Sequence, residues 1–488
     1  MQERLIETVR DRFGDTGQWV LVVGDLMLDR YFIGEVERIS PEAPVPVILV
    51  KQQNERAGGA ANVAANLAQL GVPTRLAGCV GNDIDGQALL RLVNGMGIAT
   101  DGVLLSSHRP TTTKTRMMGG HQQMLRLDQE NRAPFNAEES AQLEALVMQQ
   151  LATRPALVIL SDYAKGVLAA SLCSAFINEA RKLNIPVLVD PKGHDYSKYR
   201  GATALTPNKR ETAEACRVDA NDNDALMQAA AELRKSLNLD FFAVTRGEEG
   251  ISVIGDDAVL HIPATAKQVF DVSGAGDTVI ATLAAGLIGG LDAQEAFHLA
   301  NIAAGVVVGK VGTVPIAQEE LLQALLTQES AAQADKICDL PSLKARVLNW
   351  RKHGERIVFT NGCFDLLHAG HVTYLEAARK TGDRLVLGLN TDRSVRALKG
   401  PTRPVIHELD RARVLAALEA VDAVILFDDD TPLALIEAIR PDVLVKGSDY
   451  SENEVVGGAE VKSWGGRIAL IPIVPGRSTS GIIEKLAG

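Results

Sequence analysis

Asp271-Val-Ser-Gly-Ala-Gly-Asp-Thr278 decides the fold of this chain, since it follows a strand-like run at Gln268-Val-Phe270 and precedes an apolar segment from Val279. Glycines on both sides of a small residue let a backbone approach an anion closely. The apolar segment predicts a helix whose N-terminal dipole favours negative charge. The stretch therefore predicts a phosphate site between a strand and a helix.

Asp277 lies at the mouth of this predicted site, beside Gly274, Ala275 and Gly276. A carboxylate among phosphates is electrostatically costly unless it has a task. The plausible task is to accept the proton of a hydroxyl that attacks a phosphoryl group. The alternative interpretation is an ordinary strand-to-helix turn with Asp277 in the first helical turn.

Length and composition limit the class of protein. A chain of 488 residues is too long for a single hydrophobic core, so its length predicts two domains. Its 50 basic and 61 acidic residues give a net charge of -11. This charge opposes nucleic-acid or anionic-membrane binding. Three features indicate a cytoplasmic protein. The five cysteines form no C-x-x-C pair, and the N-terminus lacks the apolar core of a signal peptide. The apolar run at 279–291 is too short to span a bilayer.

Buried-type strands that end in polar residues recur along the first two-thirds of the chain, with helical stretches between them. They begin near positions 19, 157, 187, 204 and 242. Such alternation predicts a doubly wound α/β sheet whose site lies along the carboxyl ends of the strands. A strand-like segment at 31–51 that contains Pro41, Pro44 and Pro46 predicts a small projecting β lid.

The first strand, Trp19–Val23, is expected to be broken by Gly24–Asp29, and Asp25 at its end is a candidate for binding sugar hydroxyls. Turn chemistry is the equal alternative. Gly58 and Gly59 permit close backbone approach, and Asn62, one helical turn later, points the same way or simply caps the helix.

Two further polar groups are candidates for binding anions or a metal. Lys114 and Arg116 share one face of a predicted strand and fit a second anionic group on the substrate, although a solvated face is equally compatible. Asn208 and Glu211 have a spacing that suits a hydrated Mg²⁺ held through water. The same spacing also forms a helix capping box.

In order and spacing these motifs resemble the ribokinase family of sugar kinases over roughly residues 1–325. The resemblance implies a ribokinase-like doubly wound sheet with ATP as co-substrate and Mg²⁺ as cofactor. It implies Asp277 as the base, Gly274, Ala275 and Gly276 as the anion hole, Asp25, Gly58, Gly59 and Asn62 as sugar ligands, Asn208 and Glu211 on Mg²⁺, and Asn208, Glu211, Thr245 and Gly247 at ATP.

A composition change after Ala317 predicts a kinase-type domain at 1–326, a linker at 327–342 and a second α/β domain at 343–488. In the second domain a strand leads into Thr360-Asn-Gly-Cys-Phe-Asp-Leu-Leu-His-Ala-Gly-His371, with a helix expected from Val372. His368 and His371 at that helix start suit nucleotide phosphates, and Gly370 favours close approach. A metal pair is the alternative.

This stretch resembles the H-x-G-H signature of the cytidylyltransferase-like nucleotidyltransferases, which implies a Rossmann-like domain. The resemblance implies catalytic roles for His368, His371 and Lys399, with Lys446 a further candidate for stabilising the α-phosphate, and surface lysines as the alternative for both. It implies nucleotide contacts at Asn361, Gly362, Phe364, Gly370, Asp392, Ser478 and Thr479.

The tandem order resembles the family of bifunctional heptose enzymes of lipopolysaccharide biosynthesis. It implies phosphorylation of D-glycero-β-D-manno-heptose 7-phosphate at O1 and adenylylation of heptose 1-phosphate. Another sugar 1-kinase fused to a cytidylyltransferase is the enzymatic alternative, and a nucleotide-sensing protein on degenerate folds is the non-enzymatic one. Sugar phosphates and ATP are the expected partners, and the lid edge suggests a homo-oligomer, namely a dimer.

Overall fold

The computed structural model describes residues 1–14, 17–120, 122–256, 258–265 and 269–472. By internal contacts the chain divides into two compact units, Met1–Leu326 and Thr327–Gly488. Every helix in the described ranges is too short or too polar to cross a lipid bilayer.

The first unit contains twelve strands in one connected sheet. Its strands are β1 Val20–Ile39, β2 Pro46–Gly59, β3 Thr74–Gly81, β4 Ala99–Ser106, β5 Thr112–Gly119, β6 Gln122–Gln129, β7 Leu157–Ser161, β8 Val187–Asp190, β9 Ala204–Leu205, β10 Phe241–Thr245, β11 Ile251–Ile254 and β12 Val259–Ile262. Its helices are α1 Gln2–Glu7, α2 Ala60–Gln69, α3 Ile84–Gly95, α4 Ala137–Ala152, α5 Ala170–Lys182, α6 Lys209–Cys216, α7 Asn223–Leu237, α8 Ala275–Ile288 and α9 Ala293–Val307.

The main sheet has the order β12-β11-β10-β9-β8-β7-β1-β3-β4, parallel except at the β10-β11-β12 edge. The chain builds outward from β1 through β3 to β4 and then returns to β7 on the other side of β1. Ligands in such sheets collect at the carboxyl ends of the strands beside this reversal. The predicted doubly wound α/β fold is confirmed.

Helices cover both faces of this sheet, and β1 shows the division most clearly. Val20 and Val22 pack in one buried cluster with α2, α8 and α9. Leu21 and Val23 pack in a second cluster with α4, α5 and α7. Successive strand residues point to opposite faces, so a continuous apolar strand is required here.

The first strand is not broken after Val23 as the sequence suggested. β1 continues through Gly24–Asp29 to Ile39, and its second half pairs with β2 and β5 to form the lid, which β6 completes. Gly24 is needed for packing, because a Cβ there would lie 2.0 Å from the carbonyl oxygen of Ser161 on β7. The predicted β lid is therefore present as an extension of the core strand.

Two other local expectations differ from the structure. Val269 and Phe270 are exposed and do not belong to a strand, and Phe270 N–H donates to the Val308 carbonyl. The helix after the glycine-rich stretch begins at Ala275, one turn before the expected Val279. Gln268, in the expected strand, lies outside the described residues, and Phe270 is held to the end of α9.

The second unit has a five-stranded, all-parallel sheet in the order β15-β14-β13-β16-β17. Its strands are β13 Ile357–Gly362, β14 Arg384–Asn390, β15 Ala423–Phe427, β16 Val443–Gly447 and β17 Arg467–Ile471. The remaining helices are α10 Gln318–Asp335, α11 Leu340–Lys352, α12 Ala369–Arg379, α13 Asp392–Lys399, α14 Glu408–Ala416, α15 Leu433–Ile439 and α16 Gly458–Ser463. The segment assigned to the linker is largely helical, since α10 extends to Asp335.

We expect Gly24→Ala to destabilise the first unit by about 2–3 kcal/mol, because the new methyl group overlaps the β7 backbone and forces the two strands apart. Gly95→Ala is the matched control, since a Cβ there meets no heavy atom within 4 Å. It should change stability by less than about 1 kcal/mol. Urea-induced unfolding of both variants measures the difference, and equal effects would contradict the close approach of β1 and β7.

Candidate active sites

Asp277 is a buried carboxylate in the first turn of α8, with 3% of its surface exposed. Gly274 caps this helix in the left-handed conformation, with φ of 79°. The first N–H groups of a helix lack intrahelical acceptors. Ala275 N–H donates to the Val272 carbonyl. A Cβ on Gly276 would meet no heavy atom of the described residues within 4 Å. Open space at Gly276 allows a ligand to approach.

Both oxygens of Asp277 accept side-chain hydrogen bonds from distant elements. Asn62 Nδ2 on α2 donates to Oδ2 at 2.7 Å. The hydroxyl of Tyr163, which follows β7, donates to Oδ1 at 2.7 Å. These contacts fix the orientation of the carboxylate, and each oxygen retains capacity for a further donor.

Burial raises the pKa of Asp277 to about 6, while the Asn62 and Tyr163 hydrogen bonds oppose this rise. Asp29 raises the pKa further and Lys114 lowers it. A carboxyl with a pKa near neutrality is matched to accept a proton and remains mostly ionised at pH 7. The electrostatics therefore suit a general base.

A cavity of about 720 Å³ lies beside Asp277. Its lining includes the predicted residues Asn208, Glu211, Thr245, Gly247, Gly274, Ala275, Gly276 and Asp277. Three separate segments of the sequence therefore meet in one cavity. The volume is in the range of sites for drug-sized ligands.

Asn208 and Glu211 form the capping box that the sequence left as an alternative. Asn208 Oδ1 accepts Glu211 N–H at 2.9 Å, and Glu211 Oε2 accepts Asn208 N–H at 3.0 Å. Glu211 Oε1 also accepts a hydrogen bond from Lys192 Nζ at 2.6 Å. Direct metal coordination would compete with these contacts, whereas an ion held through water is compatible with them. Among the described residues no group of three metal-type side chains converges.

The predicted sugar ligands lie deeper than expected, outside the lining of the 720 Å³ cavity. Asp25 is 2% exposed and accepts three backbone N–H groups from the 163–167 loop. A Cβ on Gly58 would lie 2.8 Å from Met27 Cγ, and one on Gly59 would lie 2.5 Å from the Asp25 carbonyl oxygen. Packing within the protein thus accounts for both glycines.

Lys114 and Arg116 do share one face of β5, beside Asp29 on β1. Arg116 Nη1 donates to Asp29 Oδ1 at 2.7 Å, and both side chains are largely buried. Burial lowers the pKa of Lys114, and the nearby Asp29 opposes that change. Lys114 Nζ lies 5.7 Å from the centre of the Tyr163 ring. Lys114 therefore extends from the lid strand toward the Asp277 site, whereas Arg116 is engaged by Asp29.

In the second unit the two histidines lie against each other at the start of α12. His368 is the N-cap, and the helix begins at Ala369 rather than at Val372. The two imidazole rings stack at 3.9 Å between centroids. Among the described residues the Nδ1 atoms of both rings are buried without a hydrogen-bond partner. Buried polar atoms need partners, so a ligand with acceptor or donor groups fits here.

Burial, followed by the neighbouring charges of His368 and Lys399, lowers the pKa of His371 to about 4. His371 is therefore neutral at pH 7. Phe364 packs edge-on against the His371 ring, with 5.2 Å between centroids, and is largely buried. Phe364 thus supports the histidine, and its ring is not an open surface for a nucleotide base.

Lys446 lies at the end of β16, and Asn361 lies at the end of the adjacent strand β13. Lys446 Nζ donates a hydrogen bond to Asn361 Oδ1 at 2.6 Å. Burial lowers its pKa to about 8. Lys399 is exposed at the end of α13. Gly362 packs against Phe364, and Gly370 lies in the first turn of α12.

Asp392 is engaged inside the protein. Its Oδ1 accepts a hydrogen bond from the buried Arg411 at 2.7 Å. Arg411 also donates to the carbonyls of Cys363 and Ile406. Arg403 pairs with Asp365, whose other oxygen accepts the N–H of Val405. These contacts hold the segment after β13, at 363–365, against residues 403–411. Ser478 and Thr479 lie outside the described residues.

Sequence inspection missed Tyr163, Asp190 and Lys192 as parts of the first site. Tyr163 touches the base, and Asp190 and Lys192 line the same cavity. Burial and the charge of Asp277 raise the pKa of Asp190 well above its usual value. The available signal was position, because each residue lies at the end of a buried strand or two residues beyond it.

Residues 18–320 match the pfkB family of carbohydrate kinases, and residues 359–482 match the cytidylyltransferase-like family. The protein is 68% identical over 487 residues to "Bifunctional protein HldE" of Methylobacillus flagellatus, covering 100% of both chains. It is 57% identical to the protein of that name from Magnetococcus marinus, covering 96% of this chain and 97% of the relative.

Two solved structures share the fold of the first unit. Phosphofructokinase-2 of Escherichia coli superimposes with a TM-score of 0.54 at 18% identity, covering 64% of this chain and 98% of that one. Ribokinase of Arabidopsis thaliana superimposes with a TM-score of 0.50 at 22% identity, covering 63% and 98%. The expected ribokinase-like fold is confirmed.

We expect the Asp277 carboxyl to titrate near pH 6 because it is buried. Infrared difference spectra of the carboxylate band between wild type and Asp277→Asn measure this directly. Asp271→Asn is the matched control from the same segment: hydrogen bonds from Ser273 and Gly312 oppose burial and hold the pKa of Asp271 below its usual value. Its band should stay constant between pH 5 and 7, and the same constancy for Asp277 would exclude the raised pKa.

Proposed function

Because the chain belongs to the family of the bifunctional HldE proteins, with a pfkB-type carbohydrate kinase before a cytidylyltransferase-like domain, we propose that it makes ADP-heptose for lipopolysaccharide. The first unit transfers the γ-phosphoryl group of ATP to O1 of D-glycero-β-D-manno-heptose 7-phosphate. The second transfers an adenylyl group from ATP to heptose 1-phosphate and releases pyrophosphate. A separate phosphatase removes the 7-phosphate between the two steps.

The observation that carries the kinase assignment is Asp277, held between Asn62 and Tyr163 at the edge of the large cavity. ATP binds in this cavity with its phosphates toward Gly276. Asp277 accepts the proton of the O1 hydroxyl as that oxygen attacks the γ-phosphorus, and ADP leaves. The positive end of α8 stabilises negative charge on the transferred group.

Mg²⁺ is the cofactor of this step in the proposal. Glu211 and Asn208 keep their capping box and hold the ion through water, as their hydrogen bonds permit. Magnesium commonly retains several waters in this way. When bound, it neutralises charge on the nucleotide phosphates. Lys192, paired with Glu211, adds a positive charge on the same side of the cavity.

Lys114 and Arg116 are the proposed contacts for the 7-phosphate of the sugar. Both lie on the lid strand, and Lys114 is near the ring of Tyr163 and the catalytic Asp277. Arg116 remains paired with Asp29, so Lys114 is the principal cation for this group. A sugar that bridges Asp277 and Lys114 would have its reacting hydroxyl and its phosphate at opposite ends.

For adenylyl transfer the supporting observation is the stacked pair of His368 and His371 at the start of α12. Their Nδ1 atoms, which have no hydrogen-bond partner among the described residues, and the helix terminus suit the phosphates of ATP. The phosphate of heptose 1-phosphate is already ionised, so it attacks the α-phosphorus without a general base. Lys446 and Lys399 stabilise the charge that develops there.

We also propose a cytoplasmic homodimer. The lid exposes apolar side chains of Ile39, Leu49 and Leu125, each more than half exposed. Pairing of two lids would cover them. Sedimentation equilibrium of the purified chain measures the oligomeric state.

The substrates are tested by incubating the purified chain with ATP or CTP and a panel of sugar phosphates, and by identifying the products by phosphorus NMR. The proposal expects a 1,7-bisphosphate from heptose 7-phosphate and ATP, and ADP-heptose from heptose 1-phosphate and ATP. Turnover with CTP and not with ATP in the second reaction would favour the alternative, a cytidylyltransferase fused to another sugar 1-kinase.

Asp277→Asn should reduce kinase turnover about 10²- to 10⁴-fold, the usual contribution of a general base, and spare adenylyl transfer. His368→Ala should reduce adenylyl transfer about 10²-fold or more and spare the kinase. Each variant is the control for the other, and separate assays of both reactions measure the effects. Loss of both activities in either variant, with an unchanged thermal unfolding profile, would contradict two independent sites.

A further inference from the structure

Tyr163 touches the proposed catalytic base without being part of any motif recognised in the sequence. It follows β7 directly and contributes to the lining of the large cavity. Its hydroxyl donates to Asp277 Oδ1 at 2.7 Å. Donation to one carboxylate oxygen stabilises the ionised form of the acid. The contact therefore affects the very group that must accept a proton.

The backbone around Tyr163 is held by a buried acid from the neighbouring strand. Asp25 Oδ2 accepts the N–H of Tyr163 at 2.8 Å and that of Lys165 at 3.0 Å. Asp25 Oδ1 accepts the N–H of Val167 at 3.1 Å. One carboxylate thus accepts three backbone N–H groups, from alternate residues of the loop at 163–167.

A second buried acid, Asp162, holds the same loop from the other side. Its Oδ1 accepts Ala164 N–H at 2.7 Å, and its Oδ2 accepts the Tyr199 hydroxyl at 2.6 Å and Lys198 Nζ at 2.5 Å. Ala164 has a φ of 56°, in the left-handed region that residues other than glycine adopt only when their surroundings impose it. The loop is built to present the phenol at one place.

The groups around Asp277 have opposing effects on its charge. Asp29 on β1 and Asp190 on β8 interact with it as like charges, and Lys114 on β5 interacts as an opposite charge. Asn62 on α2 and Tyr163 donate hydrogen bonds. Burial and nearby carboxylates raise the pKa of Tyr163 well above its usual value, so the phenol keeps its proton and remains a donor.

We propose that Tyr163 is a positioning residue of the kinase, and that the loop clamped by Asp25 and Asp162 exists to hold its hydroxyl on Asp277. This inference rests on the proposed kinase function. Tyr163 fixes the plane of the carboxylate and favours its ionised form, leaving the remaining lone pairs for the O1 hydroxyl of the sugar. During transfer the O1 proton moves to Asp277, and Tyr163 retains its own proton throughout.

Asp25 acquires a role in this arrangement that differs from the expected sugar contact. It acts through the loop backbone, two hydrogen bonds away from the base. A sugar ligand would be exposed to the site, whereas Asp25 is 2% exposed and has both oxygens occupied. Its removal should therefore loosen Tyr163 before it affects sugar affinity.

Tyr163→Phe keeps the ring and removes the hydroxyl donor. Without that donor the Asp277 carboxyl should titrate about one pH unit above its wild-type value, as measured by the infrared difference between Tyr163→Phe and the Tyr163→Phe/Asp277→Asn double variant. This measurement does not depend on turnover. An Asp277 titration identical to that of wild type would overturn the proposal whether or not the chain is a kinase.

In kinetics, Tyr163→Phe should lower kcat about 10-fold and shift the acidic limb of kcat/KM upward by about one pH unit, with KM for ATP nearly unchanged. Tyr196→Phe is the matched control, because this buried phenol donates to the Glu211 carbonyl and does not contact Asp277; its acidic limb should match wild type. A fall in kcat without a shifted limb would assign Tyr163 a packing role only. Absence of phosphoryl transfer by the wild-type chain would instead reject the proposed function.

Discussion

The structure of the first unit depends on one buried charge, the carboxylate of Asp277 at the N-terminus of α8. A carboxylate out of contact with water is unfavourable unless hydrogen bonds and dipoles replace the solvent. Here α2 supplies Asn62, the loop after β7 supplies Tyr163 and α8 supplies its helix dipole. Three segments must therefore be in register before the site is complete, which couples the reacting group to the packing of both sheet faces.

The two units use the same physical feature, a helix N-terminus after a buried parallel strand or turn, for different chemistry. In the first unit the helix start carries an acid whose pKa is raised by burial. In the second it carries two stacked imidazoles, of which His371 has its pKa lowered by burial. Burial thus favours the uncharged form of both side chains. A base is needed where a hydroxyl attacks, and none is needed where an ionised phosphate attacks.

The ribokinase-like first unit, its lid and the second α/β unit could be predicted from strand-and-helix alternation and a few motifs. The cavity residues were also within reach, because glycine-rich turns and strand ends mark where ligands collect. The errors concern residues whose meaning depends on neighbours. Gly24 looked like a strand break, yet it allows β7 to approach β1. Asp25 looked like a sugar ligand, yet its oxygens are occupied by a loop more than a hundred residues away in sequence.

The sequence by itself determined which residues are candidates for the chemistry, since Asp277, the glycines beside it and the H-x-G-H pair are local motifs whose spacing predicts their place at helix starts. Only the tertiary structure decided how those residues are held. Asn62 and Tyr163 lie 215 and 114 positions from Asp277. Hydrogen bonds of that range leave no periodic or spacing signal in one sequence, because they depend on how the strands are ordered in the sheet. The choice of Asp277 as the proposed base thus rests on local information, whereas the orientation and the pKa of its carboxyl are properties of the fold.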